Sequence, residues 1–412
     1  MNRIQKVIFL IGLCLGCGSL PAAEYFVATQ GDDARDGLSR ETSFRTVQKG
    51  VDALQPGDTL TILPGEYLEN VKRTNLGSPE KDTLIRAALP GTVLLRGDVP
   101  APEFKKVDGY RFVYAAAVDQ EAQAVNELDT LTILEKMPDV GILEFIPGTF
   151  CYDPTDRKLY ISSSDLQAPS RHHYTVSVNP RSGLYLEKPV RVVVEGLAAT
   201  GFHRASHVGF KFGSDYIWGL ALNSPLGCTV RDCTTFLNSG GICLARGSNN
   251  VIERCVSFAN YSKYAVEGGN IIKISGNHDV IRDCTASRSR QAGIRFYIKL
   301  TGPARLDRNL AWGNAGGDLW IKANAAAEFG LARNCVALQK CHVKNITNCV
   351  IGGDNQYRWG LTMSSDNIML KDVGPGSDPG ICRSGQHGFS IAGRFPVSRI
   401  RTGRRGSGRL PV

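Results

Sequence analysis

The stretch "TVRDCTTFLNSGGICLARGSNNVIERCVSFAN", Thr229 to Asn260, contains one pattern twice. "TVRDCTTFLN" and "VIERCVSFAN" each alternate apolar and polar residues around a Cys and close on an Asn. Such alternation over a few positions is that of short strands, and Asn marks a bend. Three further segments share the pattern: "VIRDCTASRS" from Val280, "RLDRNLAWGN" from Arg305 and "GLARNCVAL" from Gly330. With anchors at Cys233, Cys255, Cys284, Asn309 and Asn334, the steps are 22, 29, 25 and 25 residues. Asn238, Asn260 and Asn314 each follow their anchor by five residues. A period in this range, in a chain without long helical patterns, means a solenoid whose coils bury their apolar faces against one another. The fold expected is all-β, a right-handed single-stranded parallel β-helix, with Cys and Asn stacked as ladders. The chain has 12 Cys. Those at the anchors read as small inward fillers on rungs about 4.8 Å apart, with no need of disulfides.

Around this core the chain divides into further regions. Residues 1–23 read as an export signal: Arg3 and Lys6 precede an apolar run, Val7 to Leu15, and small residues follow. Two cuts fit. One follows Ala23 and releases a soluble protein. The other, at "LGC", would put a lipid on Cys17, but Cys14 stands where such a box usually has Leu, which favours soluble export to the periplasm or beyond. The apolar run is too short to span a membrane. Residues 24–100 supply an N-terminal cap and the first coils, with "SFRTVQKGVDAL" spaced as a short amphipathic helix. Residues 101–188 lose the coil pattern and read as a β-rich insertion, with "DPTDRK" turning a hairpin. The main helix covers 189–352, and 353–412 is expected to be irregular, with an Arg-rich, disordered tail.

Charge narrows the class of partner. Of the formal net charge of +9, the acid-free stretch containing Arg394, Arg399, Arg401, Arg404, Arg405 and Arg409 carries +6, leaving +3 elsewhere. Nucleic-acid binding gains no support from so modest a balance.

Aligning the strand after each Asn bend stacks Phe210-Lys211-Phe212, Ile242-Cys243-Leu244, Ile272-Lys273-Ile274, Ile294-Arg295-Phe296 and Leu319-Trp320-Ile321. In this register the central residues point outward, and Lys273 and Arg295 become neighbours about 5 Å apart. Adjacent cations repel, which favours an anionic partner and lowers the pKa of the lysine. A lysine base beside a carboxylate-gripping arginine meets the needs of β-elimination on a uronic acid. Lys211, Trp320, Lys299, Lys322, Tyr264 and Tyr297 are the expected substrate contacts around the pair. Glu267 and Asn270 offer oxygens to a calcium ion, though two ligands fall short of a calcium cage. The partner expected is an acidic polysaccharide.

Four resemblances bear on this expectation. "YFVATQGDDARDGLSRETSFRTVQKGVDALQPGDTLTILPGEYLENV", Tyr25 to Val71, resembles the opening of secreted bacterial β-helix proteins that act on polysaccharides. "IIKISGNHDVIRDC" followed by "GIRF" is similar to the chondroitinase B and alginate lyase family, which implies Lys273 as base, Arg295 as its assistant and calcium nearby. "GNIIKISG" also resembles the lysine segment of pectate lyases, but the Asp-rich calcium stretch of that family has no counterpart at "NSGGICL". "FCYDPTDRKLYI" is similar to a phrase of β-helix glycoside hydrolases. A hydrolase needs two facing carboxyl groups, for which Asp283, Asp307, Asp318 and Glu267 are available. The third reading is a non-catalytic glycan binder.

Overall fold

A computed structural model describes residues 22–204, 217–261, 269–321 and 330–333, with short segments between 335 and 369. Three parallel sheets form the walls of a solenoid. Among the described residues the first has 11 strands, from Glu24–Val27 to Thr362–Met363, and the second has 10, from Gly65–Tyr67 to Ile368–Met369. The third has 8, from Val71–Thr74 to Cys341–His342. Each coil contributes one strand to each wall in turn, so chain neighbours lie on different sheets and rungs come from successive coils. Ile85, Val194, Val230, Ile252, Ile281 and Leu306 make one inward column of the first sheet, each at most 1 % exposed. Burying such a side chain contributes about 1.5–3 kcal/mol.

The corners explain the repeat. Asp232, Arg254, Asp283 and Arg308 stand between first- and second-sheet strands with φ of 55°, 51°, 55° and 52°. This left-handed conformation is uncommon for residues with a side chain. Here it recurs at one position of the coil and is tied by Arg–Asp pairs between rungs. Next comes the inward anchor. Cys233, Cys255, Cys284 and Cys335 are reduced and buried, and burial holds the Cys233 and Cys255 thiols well above their usual pKa. The fifth anchor is therefore Cys335 rather than Asn334, a step of 26 residues from Asn309; Asn334 itself lies outside the described residues.

At the second corner runs an asparagine ladder. Asn238 donates to Asn260 (3.1 Å), Asn260 to Asn270 (2.9 Å), Asn270 to Asn314 (3.0 Å) and Asn314 to Asp318 (2.8 Å). The coil anchored at Cys284 has Ser289 where its neighbours have Asn, and Asn270 fills the missing rung.

The N-terminal cap is the helix Val47–Ala53, which buries Val47 and Val51. Its first amides donate to the Glu69 carboxylate at 2.8 and 3.0 Å, an anion at the positive end of the helix. The insertion runs from Asp98 to Ser177 and forms two sheets, mostly antiparallel. Thr149–Asp153 and Lys158–Ser162 pair as the expected hairpin. The insertion docks on the outer face of the second sheet, where Ala124, Leu128 and Ile133 pack with Phe236 and Phe258. The solenoid resumes at Leu184–Glu187, which pairs with Val71–Thr74 and Leu220–Asn223. That strand lay within the insertion as read from sequence. Residues 1–21, which hold Cys17 and most of the segment expected to be an export signal, and the tail from 370 onward lie outside the described residues.

Candidate functional site

The three outer walls differ in what they offer a ligand. On the first sheet Arg86, Glu195, Arg231, Glu253, Arg282, Asp307 and Arg333 occupy successive rungs and alternate in sign. Arg231 pairs with Glu195 at 2.7 Å, Arg282 with Glu253 at 2.5 Å and Arg333 with Asp307 at 2.9 Å. Beside them Arg308 holds Asp283 at 2.7 Å. Asp283 and Asp307, two of the carboxylates available for hydrolysis, are thus engaged in a neutralised wall. The second sheet is covered in part by the insertion. The third sheet remains.

Its outward column reads Lys72, Tyr185, Ala221, Cys243, Ile272, Arg295 and Trp320. Lys273 is not in it. The strands pair Ile272 with Arg295, and Lys273 with Leu244 and Phe296, both buried core residues. The expected register is therefore off by one residue, and a one-residue slip sends a side chain to the opposite face. Lys273 points inward and is 1 % exposed. Its ammonium pairs with Asp279 at 3.3 Å and donates to the carbonyls of Arg246 and Ser275. Asp279 in turn accepts from the Asn250 amide and side chain at 3.0 and 2.9 Å. Burial lowers the lysine pKa, opposed by Asp279, so the expected direction has a different cause from repulsion by Arg295. Burial likewise raises the pKa of Asp279, opposed by Lys273. This lysine fastens a corner from within and is turned away from the outer face.

Arg295 does face outward. Its guanidinium carbon lies 4.4 Å from the Tyr297 ring centre and 5.3 Å from that of Trp320, one rung on. Both rings are partly exposed, while Arg295 is 4 % exposed. Two aromatic faces against one guanidinium hold its plane and favour its charge. Between this end of the sheet and the other, Ala221, Cys243, Ile272 and Ile274 form a buried apolar floor packed with Trp218.

Towards the N-terminal end the face turns polar. The Tyr185 hydroxyl donates to Glu187 at 2.6 Å, and the Asn223 amide donates to Glu187 at 3.1 Å and to the Tyr185 oxygen at 3.3 Å. Lys72 stands 5.9 Å from the centre of the Tyr185 ring. Burial, followed by the bond to Glu187, raises the Tyr185 pKa, so the phenol keeps its proton. None of these four residues was singled out from sequence. The signal was present in the alternation of "LYLE", but it was assigned to the insertion rather than to a coil.

The remaining expected residues fall as follows. Asn270 is a buried rung of the asparagine ladder, with its oxygen accepting from Asn260 and its amide donating to Ser287 and Asn314. It does not fit a surface calcium site, and among the described residues no group of three or more His, Cys, Asp or Glu is arranged to hold a metal. Lys299 lies on the strand Ala292–Leu300, of which only the backbone is described there. Lys211, Tyr264, Glu267 and Lys322 lie outside the described residues. Among the described residues no helix is long and apolar enough to cross a membrane.

Residues 171–332 match the family model described as the right handed beta helix region. The solenoid is a right-handed parallel β-helix. Solved structures share its architecture at low identity. One, described as the complex of XylC with xylose, gives a TM-score of 0.56 at 14 % identity over 86 % of this chain and 76 % of that one. Another, a glycoside hydrolase, gives 0.53 at 11 % over 87 % and 97 %. The pectate lyase Pel9A gives 0.46 at 12 % over 87 % and 80 %. No curated protein matches the chain.

Proposed function

We propose that this β-helix binds an acidic polysaccharide on the outer face of its third sheet and cleaves it by β-elimination. The observation that carries the reading is the stack of Arg295 between Tyr297 and Trp320. An aromatic ring can lie against the face of a sugar, and a guanidinium takes a carboxylate through two parallel hydrogen bonds. At 4 % exposure, a carboxylate reaching Arg295 would leave most of its water, which strengthens the pair. Elimination requires the uronate carboxylate to accept charge as the neighbouring proton leaves, and Arg295 supplies the countercharge. Tyr297, on the same face, is the group proposed to move the proton in place of Lys273. Hydrolysis is less well served: among the described residues Glu187 is the carboxylate turned outward on this sheet, and hydrolysis needs two. A sugar ligand also accords with the xylose complex and the glycoside hydrolase that share this architecture.

The test is incubation of the purified protein with alginate, chondroitin sulfate and polygalacturonate, with and without calcium. The ultraviolet band of the unsaturated uronate is followed alongside reducing ends. Arg295→Ala should lower the rate at least about 100-fold, as loss of a preorganised charge partner does. Reducing ends without the ultraviolet band would replace elimination by hydrolysis. Binding without either product would leave a glycan-binding protein.

A further inference from the structure

We propose that Lys72, Tyr185, Glu187 and Asn223 form a second saccharide subsite, one that takes an uncharged, hydroxyl-rich ring such as a pentopyranose. The inference rests on the polysaccharide reading above and adds to it a distinct place and a distinct sugar class. Three successive coils build the subsite, because Lys72 pairs across the third sheet with Tyr185, and Glu187 with Asn223.

The hydrogen bonds leave a defined demand. Glu187 accepts only, so the Asn223 group facing it at 3.1 Å is the amide nitrogen, and the amide oxygen must point elsewhere. That oxygen is buried and meets no donor among the described residues. Asn223 is 6 % exposed, and an orphaned buried acceptor costs about 1–3 kcal/mol. A sugar hydroxyl would satisfy it after a modest turn about the broad terminal torsion of the side chain. Glu187 has capacity to spare, since a carboxylate offers about four acceptor sites and the protein fills two. Tyr185 and Asn223 hold that carboxylate in place while its other lone pairs accept hydroxyls. Lys72, exposed at the edge and over the Tyr185 ring, adds a donor.

Charge separates this end of the sheet from the other. A uronate would be repelled by Glu187, whereas neutral hydroxyls are donors to it. Arg295 stands four rungs away from Tyr185, about 19 Å, and prefers the acid. A ligand serving both ends would carry uronate and neutral residues in one chain.

The experiment is saturation-transfer NMR of the full chain with D-xylose and, separately, D-galacturonate as probes. Wild type, Glu187→Gln, Asn223→Ala and Arg295→Ala are compared, with circular dichroism confirming the fold of each. The subsite predicts that Glu187→Gln weakens xylose binding about tenfold or more, the effect of losing hydrogen bonds to a charged acceptor. It predicts that Arg295→Ala leaves xylose binding unchanged and removes galacturonate. Xylose binding that survives both Glu187→Gln and Asn223→Ala would overturn the subsite. So would galacturonate binding without xylose binding, which leaves the polysaccharide reading standing. Failure of both sugars to bind would overturn the two together.

Discussion

The ammonium of Lys273 occupies a place where a solenoid normally puts a methyl group, and it is tolerated because the corner supplies an anion and two carbonyls. Removing one partner of a buried pair leaves the other charge uncompensated, at about 3–5 kcal/mol. Lys273→Ala should therefore destabilise the fold by that amount in urea denaturation. Lys273→Met combined with Asp279→Asn should lose less than the single change, because no bare charge remains. A single variant within about 1 kcal/mol of wild type would show that the pair contributes little. The sequence could not reveal this orientation. Ile271, Ile272 and Ile274 offer apolar residues to either register, and the register observed is the one that ties Asn270 to Asn260 and Asn314 in the ladder and packs Trp218 with Ile272 and Ile274, partners remote in sequence. Arg295 was legible because its apolar neighbours, Ile294 and Phe296, fit the core in one register only.

At the scale of elements, the insertion is tied together by His172. Its ring nitrogens face Asp129 at 2.6 Å and Asp165 at 3.1 Å, with Glu127 at 3.8 Å from the first nitrogen. Only the imidazolium can donate to both aspartates. Glu127 is itself held by the hydroxyls of Thr130, Ser164 and Tyr174. Burial lowers the His172 pKa, but the hydrogen bonds to Asp129 and Asp165 and the charge of Glu127 outweigh it, and the net shift is upward. A folded pKa above the unfolded value gives stability that is complete below about pH 6.5 and lost as pH rises through the folded value. The denaturation midpoint of the insertion should accordingly fall from near-neutral pH upward, and His172→Gln should flatten that fall. A midpoint equally pH-dependent in His172→Gln would assign the effect to other groups. The hairpin of this element was readable from its turn residues. Its end was not, because Leu184–Glu187 is a four-residue strand whose partners, Val71–Thr74 and Leu220–Asn223, are remote in sequence.

For the whole molecule, the solenoid converts a repeat into three long walls, and the allocation of charge among them decides where a polyanion can settle. The first wall and its corner carry Arg231, Arg254, Arg282, Arg308 and Arg333, and each of these five is matched by an acid on the next rung or at the corner. A polymer laid there would have to displace protein carboxylates from their partners, so a count of cations overstates its affinity. The third wall sets Arg295 against aromatic faces instead. Substitutions on the two walls should therefore separate. Arg282→Gln should leave polygalacturonate binding within about twofold of wild type, because exposed, paired charges contribute little. Arg295→Ala should weaken it about tenfold or more, the value of a charge-assisted bidentate contact. Both are measurable by titration calorimetry at two salt concentrations, where steeper salt dependence would mark diffuse attraction rather than a seated carboxylate. A larger loss from Arg282→Gln than from Arg295→Ala would move the binding face to the first sheet, and with it the chemistry, since Asp283 and Asp307 would then be the groups nearest the ligand.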